Sequence, residues 1–205
     1  MKKLLDNLKI NKKMLYFLLV ITIIAVIAGS LFTIILDKTD QTMVKEHLEK
    51  YITNVRINNV SNFKSFSRVF MADFTLISII WLLGISVIGI PIILLLYFAN
   101  TFIFGFSLGG MIVNYKFKGL LFSILSTFPH QIINIGIYTI LVAYALNLSF
   151  RLLNSIVFKK ILDFKKIINK YLLIYAISFV VILITSLYET LLLPNIIKLL
   201  FTVFK

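Results

Sequence analysis

The chain lacks cysteine altogether and has only three prolines, two histidines and eight acidic residues among 205. Without cysteine, neither a disulfide framework nor a thiolate metal site can form. One histidine, His47, sits between Glu46 and Glu49 without HExxH spacing, which reads as a solvated helix face. No Walker motif, carboxylate dyad or dinucleotide fingerprint occurs. The scarcity of charge matters most where it is concentrated. From Phe74 to Tyr115, forty-two consecutive residues include no Asp, Glu, Lys, Arg or His. As one helix this run would extend about 63 Å at ~1.5 Å per residue. A bilayer hydrocarbon core is about 30 Å thick and needs roughly 20 apolar residues.

What is present is apolar and basic. The chain is 60% hydrophobic with mean hydropathy +1.01, above the roughly 45–50% apolar usage of soluble domains. The net charge of +13 is carried by Lys and Arg between or at the ends of apolar runs, the pattern of membrane orientation and not of a nucleic-acid surface. Four blocks are nearly free of charge: Met14–Leu36, Phe74–Tyr115, Gly119–Phe150 and Tyr171–Leu193. The first follows five lysines and one acid. It resembles a signal peptide, but its length and the spans that follow favour an uncleaved first span.

Charge decides whether the second block crosses once or twice. The basic N-terminus and the basic segment Arg151–Lys170 fall on the same, cytoplasmic side only if Phe74–Tyr115 crosses twice. Gly84, Gly89 and Pro91 mark where that run breaks. The expected fold is an all-α integral membrane protein of about five transmembrane helices, forming one membrane domain. Its spans fall near residues 14–36, 70–89, 92–114, 120–150 and 171–193, with breaks near Gly89-Pro91 and Pro129. The N-terminus is expected in the cytoplasm and the C-terminus outside. Pro129 implies either one long kinked third block or a short half-helix followed by a full span.

The loop Asp37–Asp73, with the second span beginning near residue 70, is expected outside. Val44, Leu48, Ile52 and Val55 recur at helical spacing, as do Phe63, Phe66 and Phe70, which predicts one or two short amphipathic helices open to the membrane surface or a partner. The basic cytoplasmic segment Arg151–Lys170 reads as an amphipathic helix on the anionic inner leaflet, or as a docking surface for a cytoplasmic partner. Gly105 and Gly109 form a small-xxx-small pair suited to close helix packing. Ser86, flanked by Gly84 and Gly89, lacks a neighbouring base and so does not read as a nucleophile. His130, beside Pro129, and Glu189, inside the last block, are polar groups at depth and hence candidates for function. Neither residue brings a catalytic constellation with it. No enzymatic activity, cofactor or metal is expected.

Trp81–Pro91, Gly105–Gly110, Lys118-Gly119, Phe128-Pro129-His130-Gln131 and Tyr188-Glu189 ahead of Pro194 form an ordered set. In it the chain resembles the stage II sporulation protein M family, small polytopic membrane proteins, from Met14 to about Leu200. The resemblance implies a membrane anchor of the engulfment complex in endospore-forming bacteria. Such an anchor recruits the septal peptidoglycan hydrolases, stage II sporulation proteins D and P, and places this chain in the septal or mother-cell membrane. Members of the family also occur in circular-bacteriocin clusters, beside an ATPase, where they serve maturation, export or immunity.

Overall fold

The computed structural model describes residues 12–56, 62–126, 128–159 and 164–197. Those residues form helices α1 (Lys12–Ile35), α2 (Lys38–Arg56), α3 (Asn62–Gly84), α4 (Gly89–Ser126), α5 (Phe128–Phe158) and α6 (Phe164–Leu187), the last followed by a π-helical turn (Tyr188–Leu192). Five helical stretches are long and apolar enough to cross a bilayer: Lys12–Ile35, Phe63–Gly84, Gly89–Phe117, Phe128–Phe158 and Ile167–Ile197. The chain is therefore an all-α polytopic membrane protein.

The long uncharged run is two spans joined by a tight turn at Ile85–Ile88. The last carbonyls of a helix lack intrahelical donors, and in hydrocarbon they need others. Here the Ile85 and Ser86 amides bond back to Leu82 and Leu83. The Tyr171 hydroxyl donates to the Trp81 carbonyl at 3.0 Å and also reaches that of Ile80 at 3.3 Å, and Ser149 Oγ donates to the Gly84 carbonyl at 2.9 Å. Helices α5 and α6 thus close the end of α3. Gly84 is required by close approach, since a Cβ there would stand 2.2 Å from Tyr171 Oη. Pro91 lies in the first turn of α4 and Pro129 second in α5, where a missing amide costs nothing.

Helices α1 and α4 run parallel and pack the most extensively of any pair. Thr22 with Tyr97 and Ser30 with Gly105 are both contacts between residues 75 apart. Gly105 and Gly109 make this contact possible. A Cβ on Gly105 would lie 2.3 Å from the Val26 carbonyl, and one on Gly109 2.7 Å from that of Ser30. The small-residue pair is thus used within the chain.

Helix α4 departs from helical geometry at Lys116 (φ 51°, ψ −131°), within the gap expected between the spans near 92–114 and 120–150. Beyond it, residues 117–126 turn back along α4, bringing the ring of Phe128 to 5.9 Å from that of Phe104. A short helical segment therefore precedes the full helix α5. Helix α5 occupies the centre, with Tyr138, Leu141, Val142, Ala145, Leu146 and Leu148 buried. Tyr97 ties three helices together, its hydroxyl meeting Thr22 of α1 and, at 2.6 Å, Thr139 of α5.

Helix α2 packs its Val44 and Leu48 side chains over Gly110 of α4. Phe63, Phe66 and Phe70, expected in the loop, lie instead on α3 near the start of its apolar span. The basic segment is divided: Arg151–Phe158 continues α5, Lys159 adopts a positive φ, and α6 begins at Phe164. Residues 160–163 of that expected docking surface, the N-terminal lysines before Lys12, and the tail beyond Ile197 lie outside the described residues.

Candidate functional site: a polar cluster between three spans

The two carboxylates on the apolar spans, Asp73 and Glu189, both turn toward α5. Asp73 stands roughly 16 Å along α3 from Gly84 at ~1.5 Å per residue, near half the ~30 Å hydrocarbon thickness. Its Oδ2 accepts a hydrogen bond from Asn134 Nδ2 at 3.2 Å. The Asn134 carbonyl oxygen in turn accepts from Thr185 Oγ1 of α6 at 2.7 Å. Asn134 is buried at 3% exposure, and these two bonds stitch α3, α5 and α6 at one level. One helical turn nearer the start of α5, His130 Nε2 meets Glu189 Oε2 at 3.5 Å. The buried Tyr138 hydroxyl lies against Asp73 without a well-aligned hydrogen bond. Ser186 Oγ, next to Thr185, is buried and has no hydrogen-bond partner. The two carboxylates lie within electrostatic reach of each other.

Local backbone explains why Glu189 faces inward. Pro194 has no amide and its ring clashes with the carbonyl four residues before it, that of Thr190. The chain answers with a π-helical turn over Tyr188–Leu192, closed by the Leu193 amide bonding the Tyr188 carbonyl. A π turn widens the helix by a residue and carries Glu189 toward His130, with Tyr188 against the same imidazole at a ring separation of 6.3 Å. Pro129, next to His130, is the second residue of α5.

The sequence candidates thus divide into groups. His130 and Glu189, from different spans, are brought into contact, imidazole nitrogen to carboxylate oxygen at 3.5 Å. Gly84, Gly89 and Pro91 shape the α3–α4 turn, and Gly105 and Gly109 the α1–α4 contact. Of the three phenylalanines, Phe63 is 80% exposed, whereas Phe66, Phe70 and Phe74 stack in a ladder and Phe70 meets Phe179 of α6 edge-on at 5.7 Å. Sequence reasoning missed Asp73, Asn134, Tyr138 and Thr185. Asp73 is the boundary of the uncharged run, where the expected outer loop and the expected second span overlap, and so it reads as an interfacial charge. The missed signal was the apolar Val69-Phe70-Met71-Ala72 before it.

Among the described residues, no three His, Cys, Asp or Glu converge as metal ligands. The cluster can hold a proton or a small single charge, and it binds three helices together. No curated protein and no solved structure matched the chain. A family model described as stage II sporulation protein M matches residues 15–194. With the five spans, the chain-long match shows that this multi-pass membrane protein belongs to the stage II sporulation protein M family.

Proposed function

We propose that this chain is the membrane scaffold of the peptidoglycan-remodelling engulfment complex, itself non-enzymatic. In this reading it recruits membrane-anchored cell-wall hydrolases, of the kind of stage II sporulation proteins D and P, to the septum during endospore formation. Family membership is the observation that carries the reading. Two surfaces support it. Helix α2 is held over α4 through Val44 and Leu48 while Met43 stays exposed. Phe63 projects at the start of α3, close to the same end of the bundle. The basic bias of the N-terminus and of Arg151–Lys170 supports a cytoplasmic N-terminus, and in that orientation α2 lies on the outer face, where the wall and its hydrolases are.

The test is affinity capture of the full chain from native membranes of the sporulating host. Co-purification of peptidoglycan hydrolases, reduced by Phe63→Ser, is the expected result. A second reading is favoured by the paired His130 and Glu189 inside the bundle: a membrane subunit working with a cytoplasmic ATPase in export, maturation or immunity. Recovery of an ATPase without hydrolases, together with loss of export or self-protection in Glu189→Gln, would replace the scaffold reading with that one.

A further inference from the structure

We infer that the cluster of Asp73, Asn134, Tyr138, Thr185, His130 and Glu189 is a binding site for one exchangeable monovalent cation, a proton or sodium, seated at Asp73. The argument starts from charge. An ionised carboxylate at bilayer depth is costly even where it is partly relieved by snorkelling and water, and such groups pair or neutralise. The cluster holds two carboxylates that lie within electrostatic reach of each other. The titratable groups that face Asp73 are Tyr138 and, farther off, His130 on α5 and Glu189 after α6. Asp73 itself is the group α3 contributes. No Lys or Arg forms an ion pair there among the described residues. His130 supplies at most one positive charge, and its nitrogen is directed to Glu189. One negative charge, that of Asp73, remains to be met.

The surroundings of Asp73 are built to hold that charge. Asn134 donates to one carboxylate oxygen and is itself oriented by Thr185. Tyr138, 1% exposed, sets its hydroxyl against Asp73 and finds no partner for it elsewhere, so its oxygen stands beside the carboxylate. No three acidic or imidazole ligands converge, so the donor set suits one unit of charge and not a divalent metal. Asp73 and Glu189 are both only half-buried, and the Glu189 side chain keeps 28% exposure. When the charge is in place, α3, α5 and α6 are held at one level; when it leaves, Asp73 and Glu189 repel. The site stands whether the protein serves as scaffold or works with an ATPase.

The experiment uses the full chain in lipid nanodiscs. Dicyclohexylcarbodiimide, an apolar reagent for protonated carboxyls, is applied across buffers from mildly acidic to alkaline, with and without sodium, and labelled peptides are mapped by mass spectrometry. Thermal midpoints of the wild type and of Asp73→Asn, a neutral and nearly isosteric variant expected to fold, are followed over the same series. The expected result is labelling at Asp73 that falls about tenfold per pH unit once the proton is lost, with a wild-type midpoint that responds to pH or sodium and an Asp73→Asn midpoint that does not. Slower labelling on adding sodium at fixed pH identifies sodium as the ion; unchanged labelling identifies the proton. The assignment is overturned if Asp73 is never labelled, or if Asp73→Asn follows the wild-type midpoint across the series.

Discussion

Asp73 shows how one residue changes meaning with its neighbours. As the last charge before forty-two uncharged residues it looks like the rim of a loop, yet the helix that contains it starts at Asn62. Glycines differ just as sharply by setting. Gly105 lies against the backbone of α1, where a side chain meets an immovable carbonyl. Gly105→Val should lower stability by about 3 kcal/mol, the upper part of the range for overpacking, read as a drop in thermal midpoint in detergent. Gly136 has no atom within 4 Å of where its Cβ would stand. Gly136→Ala should leave the midpoint unchanged or raise it, by up to about 1 kcal/mol from helix propensity. Equal losses from both substitutions would contradict the packing described.

At the scale of elements, helices are joined by specific side-chain ladders. The rings of Phe66, Phe70 and Phe74 stack along α3 and meet Phe179 of α6. Aromatic pairs contribute about 0.5–1.5 kcal/mol each, so Phe70→Ser should cost roughly 2–3 kcal/mol while Phe63→Ser costs little. Comparing the two midpoints separates a partner surface from an internal contact. Phe63→Ser reduces partner capture without changing stability, whereas any loss of capture by Phe70→Ser follows from loosening α3 against α6. The π turn belongs to this scale too. Pro194→Ala restores the amide that the turn works around, and the last span should relax to a regular α-helix. Glu189 then rotates away from His130. A spin-label pair at Asn195 and Ile132, introduced as cysteines, should report the change in distance; no change would mean the turn is held by packing alone.

For the whole molecule, the absence of native cysteine provides a clean background for accessibility labelling. Met43 on α2 and Val157 at the end of α5 are both exposed and lie at opposite ends of the bundle. With the N-terminus in the cytoplasm, Met43→Cys should react with a membrane-impermeant maleimide on intact cells. Val157→Cys should react only after permeabilisation. The reverse pattern would invert the molecule and move α2 away from the cell wall, removing a support of the scaffold reading.

Hydropathy and charge are properties of consecutive residues, so the bilayer reads them much as a linear scan does. Five spans and the break at Gly84–Pro91 were therefore legible in the chain, because each follows from local apolar length or from a backbone that cannot continue. His130 and Glu189 were legible as polar groups out of place, but not as a pair. That pairing depends on the antiparallel packing of α5 and α6 and on a π turn whose register is set by Pro194. The end of the third span near Lys116 was legible as a gap between apolar blocks, but the reversal of residues 117–126 along α4 was not, and the charged residues at the start of α3 hid its true beginning at Asn62. Asp73, Asn134 and Thr185 come from three helices separated by loops, and only packing brings them to one depth. The order of the spans is written in one dimension, whereas the neutralisation of buried charge is settled by which helices become neighbours.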